Sequence, residues 1–167
     1  PRESAFYARD NVTFAHNPKS NLKLGSGIAP LPAYLKAGVR VALGTDGAAS
    51  NNRLDIWDEL RFAALTQKGV NKDPTLVASA EALRMATVNG AIGPGFRDVG
   101  LIKEGYRADM ILIDLDQPHY VGWDCENLSG FLVYAGSSSD VKGTVVAGKM
   151  LYQDGDFVFA DRKRITE

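Results

Sequence analysis

Val39-Arg40-Val41-Ala42-Leu43-Gly44-Thr45-Asp46-Gly47 is a short apolar run that ends on a single acidic residue and a glycine. A run that is apolar on both faces reads as a strand of a parallel sheet, because only a sheet covered on both sides hides every side chain of the run. Barrels and open α/β sheets keep their reactive groups at the C-terminal ends of such strands. Asp46 therefore stands where chemistry is expected, and the strand that carries it sets the fold class.

Immediately upstream, Leu31 to Ala37 reads as a short helix, with Pro32 in its first turn and Gly38 as its C-terminal cap. Before it, Asn11-Val12-Thr13-Phe14-Ala15 is rich in strand formers and closes on His16. Asn17-Pro18 and Leu24-Gly25-Ser26-Gly27 follow and read as a polar loop without a regular element. Downstream of Asp46, the small and polar run Gly47 to Asn52 leads into Leu54, Ile56, Trp57, Leu60, Ala63 and Ala64. These recur at helical spacing as far as Gly69, with Asn52 and Asp55 in a capping arrangement and Ser50, Asn51 and Asn52 read as caps. Asp73-Pro74 opens a further helical region with Leu76, Ala80, Leu83 and Thr87 on one face, ending near Asn89-Gly90. Strands alternating with helices make this an α/β chain built on parallel units.

From about Gly100 the pattern changes. Ala108 to Asp114 and Val141 to Val146 are strand-like, and Ala147-Gly148 and Asp154-Gly155 mark turns between short strands. Ser137-Ser138-Ser139 reads as an exposed turn. A small β domain is the expectation here.

The 167 residues are 45% hydrophobic, enough for a real core. Lys and Arg number 19 against 20 for Asp and Glu, giving a net charge of −1, and no basic stretch offers a footprint for nucleic acid. Cys125 is the only cysteine, which excludes an internal disulfide or a cysteine-based zinc cluster and fits a reducing, cytoplasmic setting. No apolar stretch approaches the ~18 residues that span a bilayer, so no membrane association is expected. The chain opens at Pro1 without an initiator Met, which is compatible with a longer natural protein.

From local pattern alone Asp46 has two readings. Asp-Gly after a strand is ordinary turn chemistry. A carboxylate at the mouth of a parallel sheet can equally ligate a divalent metal and take a proton from activated water. His16 closes the other strand, where an imidazole can contact substrate, shuttle a proton, bind metal or serve as a hydrogen-bonded structural residue. Two side chains do not complete a catalytic metal site, which takes at least three protein ligands. Gly25-Ser26-Gly27 lacks the Lys-Ser/Thr ending of a phosphate-binding loop. His119, with no acidic or cysteine neighbour in sequence, reads as a surface residue, and Cys125 as a bystander.

His16-Asn17-Pro18-Lys19-Ser20-Asn21-Leu22-Lys23-Leu24 and Leu43-Gly44-Thr45-Asp46-Gly47-Ala48-Ala49-Ser50-Asn51-Asn52 together resemble the amidohydrolase superfamily. Within it, the chain is most similar to the deaminases of 5′-methylthioadenosine and S-adenosylhomocysteine, with the triazine chlorohydrolases close by. Ala82 to Ala91, Gly105 to Leu115 and Val145 to Lys149 fit the same pattern, so the likeness spans nearly the whole chain.

The resemblance implies the C-terminal portion of a (β/α)8 TIM barrel over residues 1–98, followed over 99–167 by part of a small β-sandwich domain. It implies that Asp46 is a metal ligand that also handles the proton of the attacking water. His16 then lies close to the substrate without being a metal ligand, and Ser50, on its local pattern, is a further substrate-binding candidate. The metal would be zinc or iron. The family's His-x-His pair and its further histidine ligands have no counterpart here, since only His16 and His119 exist. This chain by itself is therefore expected to bind no metal stably and to be inactive. The implied activity of the intact enzyme is hydrolytic deamination of a purine-type small molecule. The alternatives are a triazine chlorohydrolase or guanine deaminase-like hydrolase, and a non-catalytic structural or interaction module. Barrel edges left open would promote self-association, so a homo-oligomer is expected.

Overall fold

A computed structural model describes residues 7–8 and 12–161. Strand β1 (Thr13–His16) and strand β2 (Arg40–Leu43) pair in parallel, in a register that sets His16 beside Leu43. Parallel pairing sends the segments after both strands out of the same edge. At that edge a Cβ on Gly44 would lie 2.5 Å from Asn17 Oδ1, so the Asn17 side chain sits in the space that a larger residue would need. Val41, Ala42 and Leu43 are all buried, as a doubly covered strand requires.

Helix α1 (Pro18–Lys23) follows β1, where the sequence reading placed only loop. Pro18 occupies the first turn, the one helical position at which a missing N–H costs nothing, so the proline starts the helix instead of forbidding it. Gly25 and Gly27, both at positive φ, then make the loop. Helix α2 (Leu31–Lys36) and Gly38 at φ 77° match expectation.

After β2 come the short α3 (Ala48–Asn51) and the long α4 (Ile56–Asn71). Ser50, Asn51 and Asn52 do not cap α4. Asp55 does, accepting from Trp57 N at 2.9 Å, while Asn52 turns the chain at φ 67° and Leu54 stays exposed. Helix α5 (Ser79–Ala86) begins later than expected, because Asp73 binds Thr75 N and Oγ1 in a local turn. Its buried residues are Ala82 and Met85, neither of them on the expected Leu76-Ala80-Leu83-Thr87 stripe. Helix α6 (Val88–Ile92) places buried Asn89 so that its amide donates to the Val41 carbonyl at 2.7 Å.

The core forms between β2 and these helices, around Leu31, Val41, Leu60, Ala63, Ala82 and Met85. Strands β3 (Met110–Ile113), β4 (Val141–Val146), β5 (Lys149–Gln153) and β6 (Asp156–Phe157) form one antiparallel sheet in sequence order. Both predicted turns are present, with Ala147-Gly148 and Asp154-Gly155 at positive φ on each residue, the backbone of a tight hairpin.

Helix α7 (Leu128–Tyr134), unforeseen, packs on α4 and α5. Ser137-Ser138-Ser139 leads a short 3-10 turn that ends at Asp140. His119 is not a solitary surface residue: its Nε2 lies 3.0 Å from the buried Asp140 carboxylate, which also accepts from Tyr120 Oη. Folding brings these groups together across the 120–140 connection, which sequence neighbourhood does not show.

Candidate functional site

The segment after β2 is bent by two residues in the left-handed region, Asp46 at φ 61° and Asn52 at φ 67°. Neither is glycine, and that conformation costs an L-residue roughly 1–2 kcal/mol, so it persists only where surrounding bonds enforce it. Those bonds are present. Ser20 Oγ, on α1 and 1% exposed, donates to Asp46 Oδ2 at 2.7 Å. Ser50 Oγ, on α3, donates to the same oxygen at 2.7 Å. Both hydroxyls converge on Oδ2 and leave the rest of this exposed carboxylate facing outward.

These contacts also set its charge. The Ser20 hydroxyl first, then Ser50 and the Gly47 backbone, hold the Asp46 carboxyl below the usual carboxylate range. At neutral pH it is ionised, the form in which a carboxylate ligates a metal or accepts a proton. Expected site residues Asp46 and Ser50 are thus brought together. Ser20 joins them unannounced.

Beneath the loop, Asn51 is 2% exposed and its Nδ2 donates both to the Thr45 carbonyl and to Glu59 Oε1, each at 2.6 Å. Two acceptors on one amide nitrogen fix which way the amide points. Asn51 Oδ1 is left buried without a hydrogen bond, at a price of about 1–3 kcal/mol. Glu59, fully buried on α4, is the anchor of this arrangement.

His16 is 8% exposed at the end of β1, and burial pushes its pKa down to about 4. It is a neutral imidazole at pH 7. Its Nε2 is buried without a hydrogen-bond partner, and the residue lines a small cavity with Pro18, Asn21, Ile28 and Gln67. Neither Asp46 nor Ser50 lines that cavity. His16 and Asp46 share the strand edge, through the bond from Gly44 N to His16 O, and not a side-chain contact.

Ser20 and Glu59 were missed by sequence reasoning. Ser20 had a usable signal, since a serine two residues after a helix-starting proline lies in the first turn, beside the preceding strand end. Glu59 had none, because a charged residue on a helix is ordinarily solvated. Among the described residues no group of three or more His, Cys, Asp or Glu side chains is placed to hold a metal ion. Asp46 fits one ligand's share of such a site.

The chain as a whole is similar to known proteins in sequence and in fold. A 5-methylthioadenosine/S-adenosylhomocysteine deaminase of Dictyoglomus thermophilum is 47% identical over 98% of this chain, and the chain spans 38% of that relative's length. The crystal structure of an adenosine deaminase from Xanthomonas campestris with bound zinc superposes with a TM-score of 0.93 at 36% identity, over 99% of this chain and 37% of that one. An atrazine chlorohydrolase from Arthrobacter aurescens, complexed with zinc, gives a TM-score of 0.88 at 34% identity, over 99% of this chain and 36% of that one. Residues 1–151 match the amidohydrolase family profile, and the chain belongs to that family.

Proposed function

We propose that this chain is the C-terminal share of a metal-dependent amidohydrolase that hydrolytically deaminates a purine-type substrate of the 5′-methylthioadenosine or S-adenosylhomocysteine class. Residues 1–98 supply the last two strands of a (β/α)8 barrel and residues 99–167 part of a β-sandwich. The observation that carries the reading is Asp46: a strand-end carboxylate in a strained conformation, ionised, and clamped on one oxygen by Ser20 and Ser50. Relatives more than twice as long, and a sequence whose only histidines are His16 and His119, support remaining ligands supplied from outside this chain.

Asp46 would hold a divalent metal. Zinc in the Xanthomonas and Arthrobacter structures supports zinc over iron. The metal, when bound, supplies the Lewis acidity that makes water nucleophilic near neutral pH. Asp46 takes a proton from the attacking water and returns it to the departing amino group, so that water and the C–NH2 bond give a carbonyl and ammonia. Ser20 and Ser50 hold Oδ2 still while this happens. Ser50, within the same cluster, and His16, at the neighbouring strand end, take the substrate side. A neutral His16 ring can donate or accept one hydrogen bond but carries no charge to the substrate.

By itself this chain would bind metal weakly and turn nothing over. No further strand joins either edge of the β1–β2 pair among the described residues, which supports self-association of the isolated chain. No described helix is long and apolar enough to cross a membrane, and the exposed thiol of Cys125 suits a reducing, cytoplasmic setting.

The test is a panel of 5′-methylthioadenosine, S-adenosylhomocysteine, guanine and atrazine presented to the full-length zinc-loaded protein. Ammonia release from the first two is expected. Chloride release from atrazine alone, or ammonia from guanine alone, would replace the substrate class, and no turnover of any of them would favour a non-catalytic module.

A further inference from the structure

We infer that the buried carboxylate of Glu59 is a positioning residue for Asp46, locking both of the arms that hold that carboxylate in place. The inference rests on Asp46 being the metal ligand and proton acceptor, and it assigns a role to a residue that the reaction itself does not use.

Asp46 is held from two sides. One arm is helix α1, which brings Ser20 Oγ to Asp46 Oδ2 at 2.7 Å. The other is the loop running from Thr45 through α3, which carries Asp46 itself and returns Ser50 Oγ to the same oxygen at 2.7 Å. The two arms are 26 residues apart in sequence. Glu59 touches both. Its Oε2 accepts from the backbone N–H of Lys19 at 3.1 Å, in the first turn of α1, whose N-terminal residue Asn17 provides no side-chain cap. Its Oε1 accepts from Asn51 Nδ2 at 2.6 Å, and that same nitrogen donates to the Thr45 carbonyl, one residue before Asp46.

The chemistry at Glu59 is specific to a carboxylate. Both oxygens face donors, so an amide of equal size would put its NH2 against either the Asn51 amide or the Lys19 N–H. The Lys19 ammonium does not neutralise Glu59, since it is committed to Asp58 Oδ2 at 2.7 Å. A fully buried acid at the helix start is thus bound by neutral donors alone on its two oxygens. A residue needed only for packing would be met more simply by an apolar side chain of the same volume. Asn51 Oδ1 stays buried without a partner while Nδ2 spends one bond on Glu59 and the other on the Thr45 carbonyl, so the amide is oriented to join Glu59 to the Asp46 loop.

The experiment compares full-length, zinc-loaded proteins: wild type, Glu59→Gln, Asp46→Asn, and Trp57→Phe as the control. Trp57→Phe removes a hydrogen bond from the same helix to the Leu132 carbonyl, on the α7 side. In Glu59→Gln, kcat falls about 10- to 100-fold with KM nearly unchanged, and zinc is lost to a chelator about tenfold more readily, as for groups that orient a metal ligand. The visible spectrum of the cobalt(II)-loaded protein shifts, because the ligand carboxylate is no longer fixed. Trp57→Phe lowers thermal stability and leaves kcat, zinc retention and the cobalt spectrum unchanged.

Where Glu59→Gln does not accumulate as folded protein, Asn51→Ala is read by the same measurements, since it cuts the loop arm and leaves the Lys19 bond. Wild-type kcat, zinc retention and cobalt spectrum in the Glu59 or Asn51 variant, beside an inactive Asp46→Asn, would overturn this inference alone. An active Asp46→Asn with normal zinc would instead overturn the underlying reading of Asp46.

Discussion

The parallel pair β1–β2 and the antiparallel sheet β3–β6 are held together by different means. Around the pair, order comes from residues distant in sequence: buried Ser20, Asn51 and Glu59 tie α1, the Asp46 loop and α4 to one another. In the sheet, order comes from neighbours: tight turns at Ala147-Gly148 and Asp154-Gly155 set the register of β4, β5 and β6. Ile111 and Leu112 of β3 remain 44% and 50% exposed, whereas three of the four residues of β2 are buried. Long-range polar ties with no solvent to relax them give a rigid frame, and the frame is where the candidate chemistry sits. Within β4–β6 the sheet asks only that its turns form, while β3 joins β4 across a longer connection, with Met110 opposite Val145.

The largest effect is expected where α4 is tied to α7 and to the turn that leads into β4. Trp57 Nε1 donates to the Leu132 carbonyl, Arg61 donates to Gly136, and Ser138 Oγ donates to Asp55. A Cβ at Gly136 would lie 2.5 Å from Leu132 O, 2.7 Å from Trp57 Nε1 and 2.8 Å from Tyr120 Oη. Gly136→Ala should therefore destabilise the protein by about 3 kcal/mol or more, seen as a fall in the denaturation midpoint. A loss under about 1 kcal/mol would show that α7 is not clamped to α4 in this way.

A comparable effect, graded by pH, is expected on the pair side alone. The His16 pKa lies at about 4 in the folded chain against 6.5 when free, so the unfolded chain binds the extra proton first as pH falls. Stability from the neutral ring is fully present above pH 6.5 and is lost as pH drops towards 4, up to about 3 kcal/mol. Denaturant titrations between these limits should show a flatter pH dependence in His16→Gln than in wild type. Equal slopes would mean that the ring is solvated.

The smallest effect belongs to the sheet. Gly148 sits at φ 77°, and Gly148→Ala should cost about 1 kcal/mol without changing turnover. A change in kcat would break the separation between the two regions.

The same contrast decides what was legible in the sequence. Local signals were sufficient for β2, for the Gly38 cap, for both hairpin turns and for Asp46 at a strand end. Signals that needed distant partners were not. Pro18 reads locally as a breaker, whereas the helix it starts is held at its first turn by Glu59, 40 residues beyond Lys19. Ser50 and Asn51, small polar residues just before a helix, read locally as caps of α4, but each serves the Asp46 loop. His119 found its acid across 21 residues. The buried residues of α5, Ala82 and Met85, are those that face its distant packing partners α4 and α7.

Asp46→Asn in the full-length protein tests the central claim most directly, with bound zinc per chain and ammonia release from 5′-methylthioadenosine measured on the same preparation. The variant keeps the size of the side chain and removes its charge. Loss of turnover by at least about 10³-fold together with diminished zinc is predicted, as for a ligand that also carries the proton. Near wild-type ammonia release with a full complement of zinc would contradict it.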